Sequence, residues 1–214
     1  MLHDARVFLR SDEESRPGFA VDLMLDASAS RLHCQEAIAI QGYILAKSLA
    51  SCGIPVRVTS FCSLRGYTVL RILKDFGDKN GERNVFNYFA AGWNRDGLAL
   101  RGAGELIKSA PAEKHLLILL PDASPADSHK ILPSGKVPLS RDYDGQIGVD
   151  DPAEEVRALR AQGVRVAAVF MGGIASVPAA NAIDGRALAR IRRIDQLAAT
   201  AGRLIQDEIR ELSS

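Results

Sequence analysis

A carboxylate and two hydroxyls stand at alternate positions near the start of the chain, in the run Asp26-Ala27-Ser28-Ala29-Ser30. The run directly follows an apolar segment, residues 19–25, which is typical of a buried strand. Oxygen side chains on a turn that leaves a strand can converge on one point, and such hard ligands suit Mg²⁺. The spacing therefore predicts a cation-binding turn. A simpler alternative stays open, since Asp and Ser are also favoured helix N-caps.

Two further loops carry oxygen-bearing side chains beside predicted core strands. Asn94 and Asp96 precede a predicted helix, and Asp122 follows the most apolar strand of the chain. In open α/β sheets, ligands bind outside the carboxyl ends of the strands, so one crevice could gather all three loops. The candidate metal ligands are therefore Asp26, Ser28, Ser30, Asn94, Asp96 and Asp122.

The elements that must position these loops alternate along the chain. Strands are predicted at residues 19–25, 55–61, 68–76, 115–120, 164–170 and 189–194, and helices at 33–51, 84–90, 97–109, 152–162 and 195–212. The pattern predicts an α/β fold, a doubly wound and mainly parallel sheet with one antiparallel edge strand and helices on both faces. Residues 1–18 are predicted to be an N-terminal extension, residues 19–214 one domain, and residues 123–150 a long loop within it.

The composition limits the classes of function. The chain has 214 residues, of which 47% are hydrophobic and 25% charged, as in an ordinary globular domain. Its formal net charge of +1 creates no overall field that would recruit nucleic acid or an anionic membrane. No apolar run reaches the roughly 18 residues that a membrane span requires. The three cysteines lack metal-site spacing, so we expect free buried thiols and a cytoplasmic location.

Catalysis is not expected. A nucleophile needs a base within reach, and the pair Ser28 and Ser30 has no histidine in a matching strand-end loop. Neither of the common glycine-rich phosphate-binding motifs occurs. Trp93, beside the second loop, is either an anchor for a partner or a cover over the core. Arg95 and Arg101 could pair with the acidic loops or with carboxylates of a partner, although surface salt bridges are the simpler interpretation.

The first loop resembles the first motif of the metal-ion-dependent adhesion site of von Willebrand factor A (vWA) domains, and Asp122 stands where their third motif has its aspartate. Residues 94–101, 116–127 and 143–151 are similar to one bacterial branch of that family. The branch comprises the nitric oxide reductase activation proteins and the vWA subunit of cobaltochelatase. The resemblance runs from about residue 19 to residue 212 and implies a Rossmann-like vWA fold.

The resemblance also implies roles for the candidate ligands. Ser28 and Ser30 would bind Mg²⁺ directly, with Mn²⁺ or Ca²⁺ as substitutes, while Asp26 and Asp122 would act through metal-bound waters and hydrogen bonds. The open coordination position would accept a carboxylate from a partner. In the second motif Asn94 stands where the family usually has threonine, and Asp96 could replace or supplement it. In the third motif Ala123 stands where glycine is more common.

The implied function is that of a non-enzymatic protein-binding module. It would work with a MoxR-type AAA+ ATPase in the assembly or activation of a target metalloenzyme, without a nucleic-acid partner. Two alternatives stay open at this point. One is a subunit of a cobalt or magnesium chelatase complex, and the other is a metal-free structural interaction domain with a degenerate site.

Overall fold

The computed structural model describes residues 18–135, 137–185 and 187–213. The strands are β1 Phe19–Asp26, β2 Val56–Leu64, β3 Tyr67–Lys74, β4 Lys114–Leu120, β5 Asp127–Ile131, β6 Arg141–Tyr143, β7 Arg165–Phe170 and β8 Leu188–Arg190. The α-helices are α1 Gln35–Ser51, α2 Asp96–Ile107, α3 Gly145–Ala161, α4 Val177–Asp184 and α5 Leu197–Ser213. Short 3₁₀ helices cover Ala29–Cys34, Gly81–Asn87, Ile174–Ser176 and Ile194–Gln196. The predicted N-terminal extension lies outside the described residues except for Gly18.

Six strands form the central sheet in the order β3-β2-β1-β4-β7-β8. All neighbouring strands pair in parallel except β2 and β3, which are antiparallel, so the predicted fold class is confirmed. Alternate residues of β1 enter different cores. Leu23 and Leu25 pack with the helices α1 and α5, whereas Met24 packs on the opposite face with α2 and α3. Because successive side chains of a strand point to opposite faces, a strand covered on both faces must be apolar throughout.

The segment 123–150, predicted to be one long loop, contains regular structure. β5 and β6 form an antiparallel hairpin, and α3 begins at Gly145 rather than near Pro152. Pro152, where the predicted helix began, therefore lies inside α3. The residues 145–151 include two glycines and two aspartates, so local propensity does not favour a helix there. Tertiary contacts offset that weakness, because the Tyr143 hydroxyl donates to Asp151 Oδ2 at 2.8 Å.

Other boundaries differ more modestly. The helix expected at residues 33–51 is preceded by a 3₁₀ turn and becomes α-helical at Gln35, and the helix expected at residues 84–90 is the 3₁₀ turn Gly81–Asn87. Helix α4 was not predicted.

The cysteines differ in exposure. Cys34 and Cys62 are free and partly buried, whereas Cys52 is free and exposed, which corrects the expectation of three buried thiols. Within the described residues, no helix is both long and apolar enough to cross a membrane.

A buried ion pair crosses the middle of the sheet. Asp22 of β1 and Arg57 of β2 are register partners, and Arg57 Nε lies 2.6 Å from Asp22 Oδ1. The Arg57 side chain is only 1% exposed, and its guanidinium lies over the ring of Phe76 at 4.7 Å. Burial raises the pKa of Asp22 although the neighbouring Arg57 lowers it. Each ion therefore depends on its partner for compensation inside the sheet.

We predict that Arg57→Met lowers the free energy of unfolding by about 3–5 kcal/mol at pH 7, because it leaves a buried carboxylate without a partner. The double variant Asp22→Asn/Arg57→Met should recover part of that loss, since the uncompensated charge is gone. Urea unfolding followed by circular dichroism measures both. A single variant as stable as the wild-type protein would contradict the prediction.

Candidate metal site at the carboxyl edge of the sheet

The three candidate loops meet at one edge of the sheet. β1 and β4 are adjacent and parallel, with Leu25 paired to Leu120, so Asp26 and Asp122 leave neighbouring strands side by side. The segment before α2 lies against the first loop, because Ala91 N donates to Ala27 O at 2.7 Å and Ala29 N donates to Gly92 O at 3.0 Å. The structure therefore brings all six predicted residues to this edge.

The serine hydroxyls and Asp122 form a continuous hydrogen-bonded group. Ser28 Oγ lies 2.9 Å from Ser30 Oγ, and Ser30 Oγ donates to Asp122 Oδ2 at 2.8 Å. Asp122 Oδ1 accepts the backbone N–H of Ser124 at 2.9 Å and lies 3.4 Å from Asn94 Nδ2. Four side chains from three loops are thus linked one to the next by hydrogen bonds, in the order Ser28, Ser30, Asp122 and Asn94.

Asp26 lies beneath this group and is fully buried. Its Oδ1 accepts the backbone N–H of Ser28 at 2.8 Å, and its Oδ2 lies 3.2 Å from Nε of the buried Arg31. Burial, and then the charge of Asp122, raise the pKa of Asp26 to about 6, although Arg31 lowers it. Arg31 was not among the residues predicted for the site, although it directly follows the Asp-x-Ser-x-Ser run. Arg31 Nη1 also donates to Met171 O at 3.1 Å, which links the first loop to the end of β7.

The two predicted ligands of the second loop, Asn94 and Asp96, lie in different surroundings. Asn94 exchanges backbone hydrogen bonds of 3.1 Å with Ala126, and the next acidic residue, Asp96, begins α2. Asp96 is buried, and within the described residues its Oδ1 has no hydrogen-bond partner. Burial, followed by the charges of Asp26 and Asp122, raises the pKa of Asp96 well above its usual value, and a hydrogen bond with Asn94 lowers it.

Arg95, between these two residues, points away from the site into the β5–β6 hairpin. Its Nε lies 2.6 Å from Asp127 Oδ2, and its guanidinium lies 5.2 Å from the centre of the Tyr143 ring. Arg95 is buried, so its interpretation as a surface salt bridge is wrong. Arg101 is about half exposed and pairs with Asp151 and Glu155, as that interpretation predicted.

Gly97 allows this close packing at the start of α2. A Cβ atom at Gly97 would lie 2.0 Å from Asp151 Oδ2, so no larger residue fits without displacing that carboxylate.

In the third loop, after β4, a residue other than glycine holds a backbone conformation that favours glycine. Ala123 takes a φ of 54°, a left-handed conformation that glycine adopts more readily. The alanine therefore imposes backbone strain directly beside Asp122.

The residues present suit a hard divalent cation. Asp26, Asp96 and Asp122 lie close enough that, after burial, the charge of Asp122 helps to raise the pKa of Asp26, and the charges of Asp26 and Asp122 help to raise that of Asp96. Among the described residues, Arg31 makes the one side-chain ion pair with these three carboxylates. No three His, Cys, Asp or Glu side chains of that part of the chain are placed to hold a metal ion by themselves. A cation here would therefore need the serine hydroxyls or the Asn94 amide as ligands.

A third buried carboxylate lies near the site and was not predicted. Asp184, at the end of α4, is fully buried, and neither of its carboxylate oxygens has a hydrogen-bond partner within the described residues. Asp184 and Asp96 both line a cavity of about 10 Å³ whose other walls are mainly apolar. Burial raises the pKa of Asp184 to about 7, although Arg160 lowers it. Asp184 follows no strand, so the strand-end pattern gave no signal for it.

We predict that Asp184→Asn stabilises the protein increasingly as the pH rises from 5 to 7. The folded state holds a proton on Asp184 up to about pH 7, whereas the unfolded chain loses it near the ordinary pKa of 3.8, so ionisation of Asp184 lowers wild-type stability as pH rises. The difference between variant and wild type should grow by about 1.4 kcal/mol per pH unit well below pH 7 and level off above it, where the folded state also loses the proton. Urea unfolding at several pH values measures it, and a pH-independent difference would contradict the prediction.

Comparison with solved structures places this fold among vWA domains. The vWF domain of the type V pili tip protein Mfa5 from Porphyromonas gingivalis aligns with a TM-score of 0.65 at 11% identity, covering 91% of this chain and 96% of that chain. The SpRpn10 VWA domain aligns with a TM-score of 0.55 at 9% identity, covering 85% and 94%. The pilus adhesin SpaC from Lactobacillus rhamnosus GG reaches 0.66 at 15% identity, covering 91% and 30%.

No family model matches the sequence. Protein NorD of Brucella abortus is 29% identical over 151 residues, which cover 68% of this chain and 22% of that protein. An uncharacterized protein of Pseudomonas aeruginosa is 29% identical over 125 residues, which cover 56% and 18%. The chain thus spans about a fifth of the length of the curated relatives it matches. It has a vWA-like α/β fold, and its sequence is similar to a segment of NorD.

Proposed function

We propose that this chain is a non-enzymatic protein-binding module whose contact with a partner depends on Mg²⁺ at the carboxyl edge of the sheet. The observation that carries the proposal is the hydrogen-bonded series Ser28, Ser30, Asp122 and Asn94, which lies directly above the buried Asp26. When bound, Mg²⁺ would supply an open coordination position for a carboxylate of the partner.

The contacts of each residue indicate the role that it would have in metal binding. Ser28 and Ser30 are the direct ligands, and Asp122 orients the Ser30 hydroxyl that donates to it. Asp26 accepts the Ser28 N–H and thereby fixes the first loop. Of the two second-loop candidates we choose Asn94 as the direct ligand, because it lies beside Asp122; its Nδ2 donates to Asp122 Oδ1 and its Oδ1 accepts the Ala126 N–H, both at 3.4 Å, so the amide would turn its oxygen towards the cation on binding. Asp96 lies at the wall of the apolar cavity, where burial raises the pKa of its carboxyl, so we assign it a supporting role and no direct contact with the metal.

The partner we propose is a MoxR-type AAA+ ATPase in the cytoplasm, with which the chain would assemble or activate a target metalloenzyme. The similarity to NorD supports this choice, as does the vWA-like fold. Trp93 and Phe89 lie in the segment that borders the first loop, and their side chains are 47% and 63% exposed. Exposed aromatic side chains next to the site favour a protein contact, so we interpret Trp93 as an anchor for the partner.

We predict that Ser30→Ala weakens Mn²⁺ binding by about tenfold or more, because it removes a direct ligand and the hydrogen bond to Asp122. Ser30 is exposed, so the fold should be unaffected, whereas Asp26→Ala would also leave the buried Arg31 unpaired. Mn²⁺ titration of metal-stripped protein, followed by the melting temperature, measures binding because a ligand of the folded state raises that temperature.

Ser51→Ala is the matched control for this titration. Ser51 ends α1, and its hydroxyl donates to Lys47 O at 2.8 Å, remote from the carboxyl edge. The control should show the wild-type shift. An equal Mn²⁺-dependent shift in Ser30→Ala would argue against Ser30 as a ligand, and no shift in the wild-type protein would favour a degenerate site.

We predict further that a MoxR-type ATPase from the same organism is captured by the immobilised chain in Mg²⁺ and released by EDTA. Capture by Ser30→Ala should fall by about tenfold, and capture by Ser51→Ala should equal that of the wild-type protein, because only the first change removes a proposed metal ligand. Quantitative pull-down with the purified ATPase measures the three proteins side by side. Capture that resists both EDTA and Ser30→Ala would contradict a metal-dependent contact.

A further inference from the structure

Arginine is concentrated at one end of the carboxyl edge, next to the candidate metal site. Arg190 ends β8, Arg192 and Arg193 follow it, and Arg203 lies on α5. All four side chains are exposed. The net charge of the whole chain is only +1, so this concentration does not reflect a general excess of basic residues. We call these four arginines the basic edge.

The basic edge is continuous with the candidate metal site. Arg190 Nη2 donates to Gly172 O at 3.4 Å, and a Cβ atom on Gly172 would lie 2.8 Å from Asp122 O. Met171, the residue before Gly172, accepts a hydrogen bond at its backbone oxygen from Nη1 of Arg31, the partner of Asp26. β4, β7 and β8 are adjacent in the sheet, and strands lie about 4.8 Å apart, so roughly 10 Å separate the ends of β4 and β8.

The guanidinium groups are open to a ligand. A cleft of about 490 Å³ is lined by Arg190, Arg193 and Arg203 together with polar side chains of the 3₁₀ turn and α5. Asp195 is the acidic residue of that lining, and it is paired with Arg193. Within the described residues Arg192 has no ion-pair partner, and Arg190 makes only the long hydrogen bond to Gly172 O. Guanidinium groups bind carboxylates in a planar, two-point geometry.

We propose that the basic edge and the candidate metal site together form a docking surface for an acidic segment of a partner protein. One carboxylate of the segment occupies the metal position, and carboxylates further along it pair with Arg190, Arg192 and Arg203. An extended chain covers about 3.3 Å per residue, so acidic residues about three positions apart reach both places. The metal contact rests on the proposed function, whereas the arginine contacts do not.

A fluorescein-labelled hexaglutamate peptide is a direct probe of this surface. Its affinity for the Mn²⁺-loaded protein is measured by fluorescence anisotropy at low salt, for the wild-type protein and for Arg190→Gln/Arg192→Gln/Arg203→Gln. Arg193 is left in place because it pairs with Asp195 and caps the following turn. The triple variant should bind the peptide about tenfold more weakly and with a smaller salt dependence, while its Mn²⁺-dependent rise in melting temperature stays that of the wild type.

The matched control is Arg83→Gln/Arg157→Gln/Arg210→Gln, which removes the same charge from exposed arginines elsewhere on the molecule. It should bind the peptide as the wild-type protein does. Equal loss in both triple variants, or wild-type affinity in the basic-edge variant, would overturn the proposal. So would a hexathymidine oligonucleotide that binds as tightly as the peptide, since the surface would then select any polyanion.

The two proposals fail in different ways. If Mn²⁺ does not raise the wild-type melting temperature, the metal-dependent function is wrong. Arginine-dependent binding of hexaglutamate would then persist in EDTA and would still support the basic edge as an acidic docking surface. If the metal binds and the peptide does not, the basic-edge proposal is wrong and the metal site stands.

Discussion

Burial of Asp26 at the end of β1 is the constraint on which the site depends. A carboxylate removed from water must be compensated, and here Arg31 and the Ser28 N–H provide the compensation. The Tyr88 hydroxyl donates to the backbone oxygen of Asp26 at 2.5 Å. These three contacts fix the path of the first loop. The loop then has little freedom, and the Ser28 and Ser30 hydroxyls project from it towards Asp122.

The remaining charge is not balanced. Burial, and then the charge of Asp122, raises the pKa of Asp26, and burial, followed by the charges of Asp26 and Asp122, raises the pKa of Asp96. Ala123 adds a left-handed backbone conformation beside Asp122. Strain and uncompensated charge lower stability, and proteins concentrate such costs where a ligand will relieve them. The proposed cation would relieve part of this cost.

The hairpin formed by β5 and β6 is tied to this edge through consecutive residues of the second loop. Asn94 turns towards Asp122, whereas Arg95 turns away and is held by Asp127 and the ring of Tyr143. Tyr143 in turn donates to Asp151 of α3. Because neighbouring residues face opposite sides, the hairpin cannot shift without moving the second loop. The segment expected to be an open loop is thus part of the support of the site.

The sequence by itself determined the alternation of strands and helices, the antiparallel edge strand and the location of the oxygen side chains. Apolar runs such as β1 and β4 can be buried only inside a two-sided sheet, and parallel strands present their carboxyl ends together. Only the tertiary structure decided that Arg31 and Arg95 are buried, that α3 begins at Gly145, and that Asp184 lies under Asp96. Each of these depends on a partner distant along the chain, and local pattern carries no information about what packs against a residue after folding.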